Sequence, residues 1–182
     1  MRYAEGHKES VRASIVESAA RALRREGLEA VSIPALMKEA GLTHGGFYGY
    51  FKNRDQLVAE AVRWAAEQTA ARVLSEDAGD ARAMLDQYLS EAHAKHPEVG
   101  CVIAALGTQG RTQPAPVRRA FGEVARGFVR LVDRQLRRKK ATPEASDEAL
   151  RLSAQMIGAV VLARLVEDEA LAKRILGAAR SR

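Results

Sequence analysis

Residues 32–54 read Ser32-Ile-Pro-Ala-Leu-Met-Lys-Glu-Ala-Gly-Leu-Thr-His-Gly-Gly-Phe-Tyr-Gly-Tyr-Phe-Lys-Asn-Arg54. Ser32 can cap a helix, its hydroxyl accepting a backbone N–H that would otherwise lack a partner. Pro34 falls in the first turn, where a missing N–H costs little, and Leu36, Met37 and Ala40 recur at helical spacing as an apolar face. Gly41 suits the left-handed position just past a helix end. Leu42 can then plug the angle, and Thr43 can cap a second helix carrying Phe47 and Phe51 on its buried side. His44, Gly45, Tyr48 and Tyr50 are left on the other faces. No acidic residue lies between Gly41 and Arg54, and Lys52 and Arg54 close the segment with positive charge, the sign needed to approach phosphates. Two short helices across a tight turn have the shape of a helix-turn-helix.

Working outward, residues 8–26 form an amphipathic helix with Val11, Ile15, Ala19, Ala22 and Leu23 at three- and four-residue steps, ended by Gly27. Beyond the hairpin, expected near 33–40 and 44–50, a longer helix runs from about Arg54 to Ser75. Its stripe of Leu57, Val58, Ala61, Val62, Ala65 and Val73 has Trp64 on or beside it. This helix links the hairpin mechanically to the rest of the chain. Residues 77–80 read as a turn, with Asp80 able to cap a helix over 80–95. Pro97, Pro114, Pro116 and Pro143 punctuate further helices near 100–111, 115–139, 143–167 and 168–179, since proline favours helix starts and the segments between helices. No segment alternates with a two-residue period. The pattern predicts an all-α fold of about nine helices: a three-helix head over residues 1–53 and a larger helical body over 54–182.

The 143–167 helix is apolar around much of its girth, which requires burial on more than one side. A second copy of the chain can supply one of those sides. Leu152, Met156 and Val160, with Leu171 and Ile175 of the last helix, are the expected contact residues.

The chain of 182 residues is 47% hydrophobic, enough for a real core, and carries a formal charge of +6 with a pI near 9.8. Such a balance suits a polyanionic partner. The first 60 residues hold nine Lys/Arg against eight Asp/Glu, so the local charge of the second hairpin helix says more about DNA than the total does. A single cysteine, Cys101, excludes an internal disulfide and a Cys-based zinc finger. No apolar run approaches the ~20 residues of a membrane span, and the amino terminus lacks an apolar signal core. These features predict a soluble cytoplasmic protein with no membrane partner.

Enzyme chemistry finds no foothold. There is no Gly-x-Ser-x-Gly elbow and no phosphate loop; Gly45, Gly46 and Gly49 neither follow a strand nor precede Lys-Ser or Lys-Thr. His93 and His96, three apart, could chelate a metal with Glu98 or Cys101, but a solvated helix end explains them as well, and neither a metal nor a cofactor is expected. Cys101, near a helix start that favours the thiolate, could sense electrophiles or oxidants. The plainer reading has it filling a small apolar hole beside Val102 and Ala105. The run Arg134-Gln-Leu-Arg-Arg-Lys-Lys140 reads as a solvated helix end rather than a second nucleic-acid contact.

The order Gly41-Leu-Thr, Gly45, Phe47-Tyr48, Tyr50-Phe51-Lys52 and Asp55-Gln56-Leu57 closely resembles the TetR/AcrR family of bacterial transcriptional regulators, over roughly residues 8–60. Beyond residue 60 only length and helical layout agree. The resemblance implies a homodimer, joined by a four-helix bundle of the last two long helices of each subunit. It also implies a double-stranded palindromic operator, read by recognition helices ~34–36 Å or somewhat more apart, and repression relieved by an unidentified small-molecule effector. It implies that Ser32 and Thr43 offer donors to phosphate and that Gly45 lets the backbone near DNA. His44, Tyr48 and Tyr50 would contact bases or phosphate, and Lys52 and Arg54 would grip phosphate. The chain departs from the family at Gly49, where a larger residue is common, and at Tyr50, where histidine is frequent. Glycine there costs about 1 kcal/mol of helix stability relative to alanine and removes a side chain able to read bases.

The same resemblance puts the effector in the interior of the body, where Trp64, Tyr88, Cys101, Phe121, Phe128 and Met156 are the expected lining. The scarcity of charges near these positions points to an apolar or aromatic inducer. Three other readings stay open: a thiol-based sensing repressor that uses Cys101, a helical protein-interaction module without DNA specificity, and a helical enzyme that uses His93 and His96.

Overall fold

The computed structural model describes residues 2–29, 32–73, 80–137 and 144–181. Among these every regular element is helical, as the periodicity predicts. Helix α1 spans Arg2–Glu26 and α2 spans Ile33–Glu39; a 3₁₀ helix over His44–Gly49 follows, then α3 over Arg54–Val73. The body continues with α4 (Ala81–Tyr88), α5 (Glu91–Lys95), a 3₁₀ turn over Pro97–Val99, and α6 (Val102–Gly110). Helices α7 (Ala115–Arg137), α8 (Asp147–Leu165) and α9 (Glu169–Arg180) complete it. The Val73 side chain, the turn at 77–79, Pro143 and the basic residues at 138–140 fall outside the described residues.

Capping fixes most boundaries. Asp80 accepts from the N–H groups of Arg82 and Ala83, Ser146 from Ala149, and Asp168 from Ala170 and Leu171; each such cap contributes about 1 kcal/mol. The helix expected over 80–95 is divided in two. Leu89 leaves helical geometry, and Ser90 starts α5 by accepting the His93 N–H at 3.1 Å. The helix expected from 143 begins at Asp147, because Ser146 is the cap and is itself held by Asp133, whose Oδ1 accepts both the N–H and the hydroxyl of Ser146.

Two apolar clusters hold the molecule. One joins Ile15, Leu23, Met37, Phe47, Phe51, Leu57 and Val62 of the head and α3 to Val102, Leu106 and Phe121 of the body. The other joins Met84, Leu85, Tyr88 and Leu89 to Phe128, Met156, Val160 and Leu176. Helix α3 packs along both α1 and α7, so it belongs to the head and the body at once.

Helix α8 is two-faced, and three of the five contact residues expected from sequence point into the chain's own core. Leu152, Met156 and Val160 are buried in the body core of a single chain, where a second copy cannot reach them. The outward stripe instead runs Leu150, Ala154, Ile157, Val161 and Leu165, each exposed or half-buried; Leu165 is 73% exposed. Leu171 is partly exposed and Ile175 is half-buried against the core. Apolar girth signals two packing faces, but which face meets which neighbour depends on how the helix is rotated in the bundle.

Candidate nucleic-acid interface

The hairpin closes with the expected turn chemistry. Past α2, the Leu42 N–H bonds to the Met37 carbonyl (2.7 Å) and the Gly41 N–H to that of Lys38 (3.0 Å), a Schellman arrangement. Gly41 takes φ +70°, a conformation that a Cβ would strain. Thr43 Oγ1 accepts the Gly46 N–H at 3.3 Å, and Ser32 Oγ accepts from Ala35 at 3.5 Å. Both hydroxyls lie on exposed residues.

The second helix is 3₁₀ rather than the α-helix expected over 44–50. Three of its six residues are glycine, which leaves little side-chain packing and the largest backbone entropy to overcome. Phe47 and Phe51 anchor it with stacked rings 5.5 Å apart, both buried. Tyr48 stands edge-on to Phe47 and is 67% exposed. His44, Gly45, Gly49 and Lys52 are exposed as well, so most of the predicted contact residues are open to solvent.

Two predicted contacts are placed differently. The Arg54 guanidinium turns inward and donates to the Leu28 carbonyl, tying α3 to the end of α1. Tyr50 is half-buried; its carbonyl accepts from Arg12 Nε (3.4 Å), and Lys8 Nζ lies 5.9 Å from its ring centroid. Behind the surface, Arg12 stacks over Phe51 at 4.8 Å and pairs with Glu60 at 2.6 Å. Helix α3 starts at Arg54, as expected, on a cap that the sequence analysis does not name. Asn53 Oδ1 accepts the Gln56 N–H (2.9 Å), and Gln56 Oε1 reaches back to the Lys52 N–H (2.8 Å), close to a capping box. The Asn-x-x-Gln spacing was the available signal.

In the body, Cys101 and Phe128 line a cleft of about 190 Å³ between α3, the start of α6 and α7, together with Ala66, Thr69, Ala70 and Leu131. The other residues expected in the lining lie elsewhere: Trp64 and Phe121 pack in the head-side cluster, Tyr88 and Met156 in the body core. His93 is no solvated ligand. Its Nδ1 donates to the Tyr88 carbonyl (2.6 Å) while Nε2 accepts the Cys101 N–H (2.9 Å), which defines a neutral tautomer. Burial, helped by Arg164 and Arg72, lowers its pKa to about 4. His96 is exposed and pairs with Glu98. Among the described residues no group of three His, Cys, Asp or Glu side chains is placed to hold a metal ion.

Next to this histidine the Gly100 carbonyl accepts from Arg24 Nη1 (2.9 Å) and Thr69 Oγ1 (3.1 Å). Arg164 of α8 donates to the carbonyls of His93 and Ala94. A Cβ at Gly100 would come within 2.7–2.9 Å of the His93 ring and Arg164, so only glycine fits. The node joins α1, α3, α5 and α8. Arg24, brought down to about 10 by burial, remains charged at neutral pH.

A three-helix head with an exposed tyrosine and lysine beside its hairpin, carried on a helical body, is the architecture of a helix-turn-helix transcriptional regulator. Residues 15–61 match the family described as bacterial regulatory proteins, tetR family. An uncharacterized HTH-type transcriptional regulator of Mycobacterium tuberculosis is 31% identical over 169 residues, covering 86% of each chain. The chain belongs to the TetR family. Solved structures agree on the fold. The reduced form of NemR from E. coli superposes with TM-score 0.72 at 19% identity, covering 94% of this chain and 93% of that one. A TetR regulator of Chloroflexus aurantiacus gives 0.69 at 23% identity, covering 99% and 93%. No helix among the described residues is long and apolar enough to cross a membrane.

Proposed function

We propose that this chain is a homodimeric cytoplasmic repressor. Its two heads read a palindromic operator, and a small molecule entering the body cleft releases it. The observation that carries the DNA-reading half is the open face of the 3₁₀ helix. His44, Gly45, Tyr48 and Gly49 are exposed on it and Lys52 just beyond it, with no acidic residue from Gly41 to Arg54. Gly45 and Gly49 would carry a Cβ into open space, so the backbone itself can come close to a groove. Tyr48 is assigned to base or sugar contact, and Lys52, with the N–H groups at the Thr43 cap, to phosphate. Dimerisation is assigned to the outward apolar stripe of α8, which spans about 22 Å from Leu150 to Leu165 at the helical rise.

The test is selection of the purified protein against a random duplex library at moderate salt. Enrichment of a two-half-site palindrome is the expected result. Changing Tyr48 and Lys52 together to alanine then lowers operator affinity at least tenfold, while gel-filtration volume and helical circular dichroism stay unchanged. Retained affinity would remove these residues from the interface, and a folded protein that enriches no sequence would leave the interaction-module reading in its place.

A further inference from the structure

We propose that the cleft between α3, α6 and α7 binds a neutral, apolar molecule about the size of one substituted aromatic ring, and that this is the effector's chemical class. The proposal rests on the reading of the chain as a ligand-released regulator. Size sets the first limit: the cleft holds about 190 Å³, and an apolar cavity of about 150 Å³ suffices for benzene. The room exists because small residues face each other, Ala66 and Ala70 on α3 against Gly127 on α7.

Charge sets the second limit. The walls are Ile103, Phe128, Leu131 and the alanines, and Glu67, an exposed acid, is the one charged side chain among the lining residues. The single proton of the Thr69 hydroxyl is already taken up by the carbonyls of Ala65 and Gly100, which lie within bonding distance of it, and Cys101 offers only a weak thiol donor. A carboxylate there would lose its hydration with no cation to replace it, and Glu67 would repel it. A neutral ring loses nothing comparable and gains from the apolar area it covers.

Occupancy of this cleft reaches the head by two routes. The cleft is bordered by α3 and α7 where they pack on each other, and α3 begins at the head. Thr69 and Cys101 flank the Gly100 carbonyl, which is the Arg24 acceptor on α1.

The experiment uses toluene and benzoate, two single rings that differ in charge, on the full chain. Thermal unfolding reads the site without DNA, so it is independent of the operator. The expected result is that saturating toluene raises Tm by at least about 2 °C and benzoate does not. Gly127→Leu, whose side chain starts in open space, should remove the toluene shift while the protein still unfolds cooperatively. Ala70→Leu fills the cleft from the opposite wall and guards against a folding defect in the first variant. A toluene shift that survives both substitutions, or equal stabilisation by benzoate, overturns the site assignment. Toluene binding that leaves affinity for the selected operator unchanged overturns the effector assignment. Failure to select any operator tells against the regulator reading alone, because the thermal shift still decides the site.

Discussion

His93 has a hydrogen bond on each ring nitrogen and sits against the Tyr88 ring at 4.6 Å. Protonation would set an N–H against the Cys101 N–H and place a cation beside Arg164. With the folded pKa near 4 and an unfolded value of ~6.5, the unfolded chain binds the proton first. The stabilisation is therefore complete above about pH 6.5 and is lost as pH falls towards 4. The loss is on the order of 3 kcal/mol. Urea titrations at pH 7 and pH 4.5 should show it, and His93→Gln should flatten the difference. A pH-independent midpoint in the native chain would contradict the neutral-histidine node. In sequence His93 and His96 look like a pair; they part company only in space, one buried and one in solvent.

Among the elements, the 3₁₀ helix proposed to carry the recognition surface has unusually little side-chain support. Its end is open at Gly49, where a Cβ meets nothing within 4 Å and φ is not left-handed. Gly49→Ala should therefore stabilise the chain by about 0.4–1 kcal/mol, seen as a raised denaturant midpoint, while altering the preferred operator because a methyl now meets the groove. A fall in stability would mean that the glycine is needed by the fold itself. The caps of this region were legible in local sequence: Ser32, Gly41 and Thr43 act over three or four residues. The division of 80–95 and the inward turn of Arg54 were not. Both depend on partners distant in the chain or on a competing cap, Ser90, inside an otherwise continuous apolar pattern.

For the whole molecule, the proposed assembly turns on the outward face of α8. Leu165→Glu, or Val161→Glu, places a charge on the stripe proposed to meet a second copy. The expected outcome is a monomer by analytical ultracentrifugation, with helical content retained because neither side chain is fully buried within one chain. An unchanged dimer would move the interface elsewhere.

Local pattern suffices for the helical class, the hairpin with its caps, the buried pair Phe47 and Phe51, and the two-sided demand of α8. Each of these is set by periodicity or by interactions within about one turn. The packing of distant helices sets which face of α8 points outward, that two of the six expected lining residues border the cleft, and that Arg24, Thr69, His93 and Gly100 meet at one node. Those depend on helix rotation and on contacts up to 76 residues apart in the chain, which no local pattern encodes.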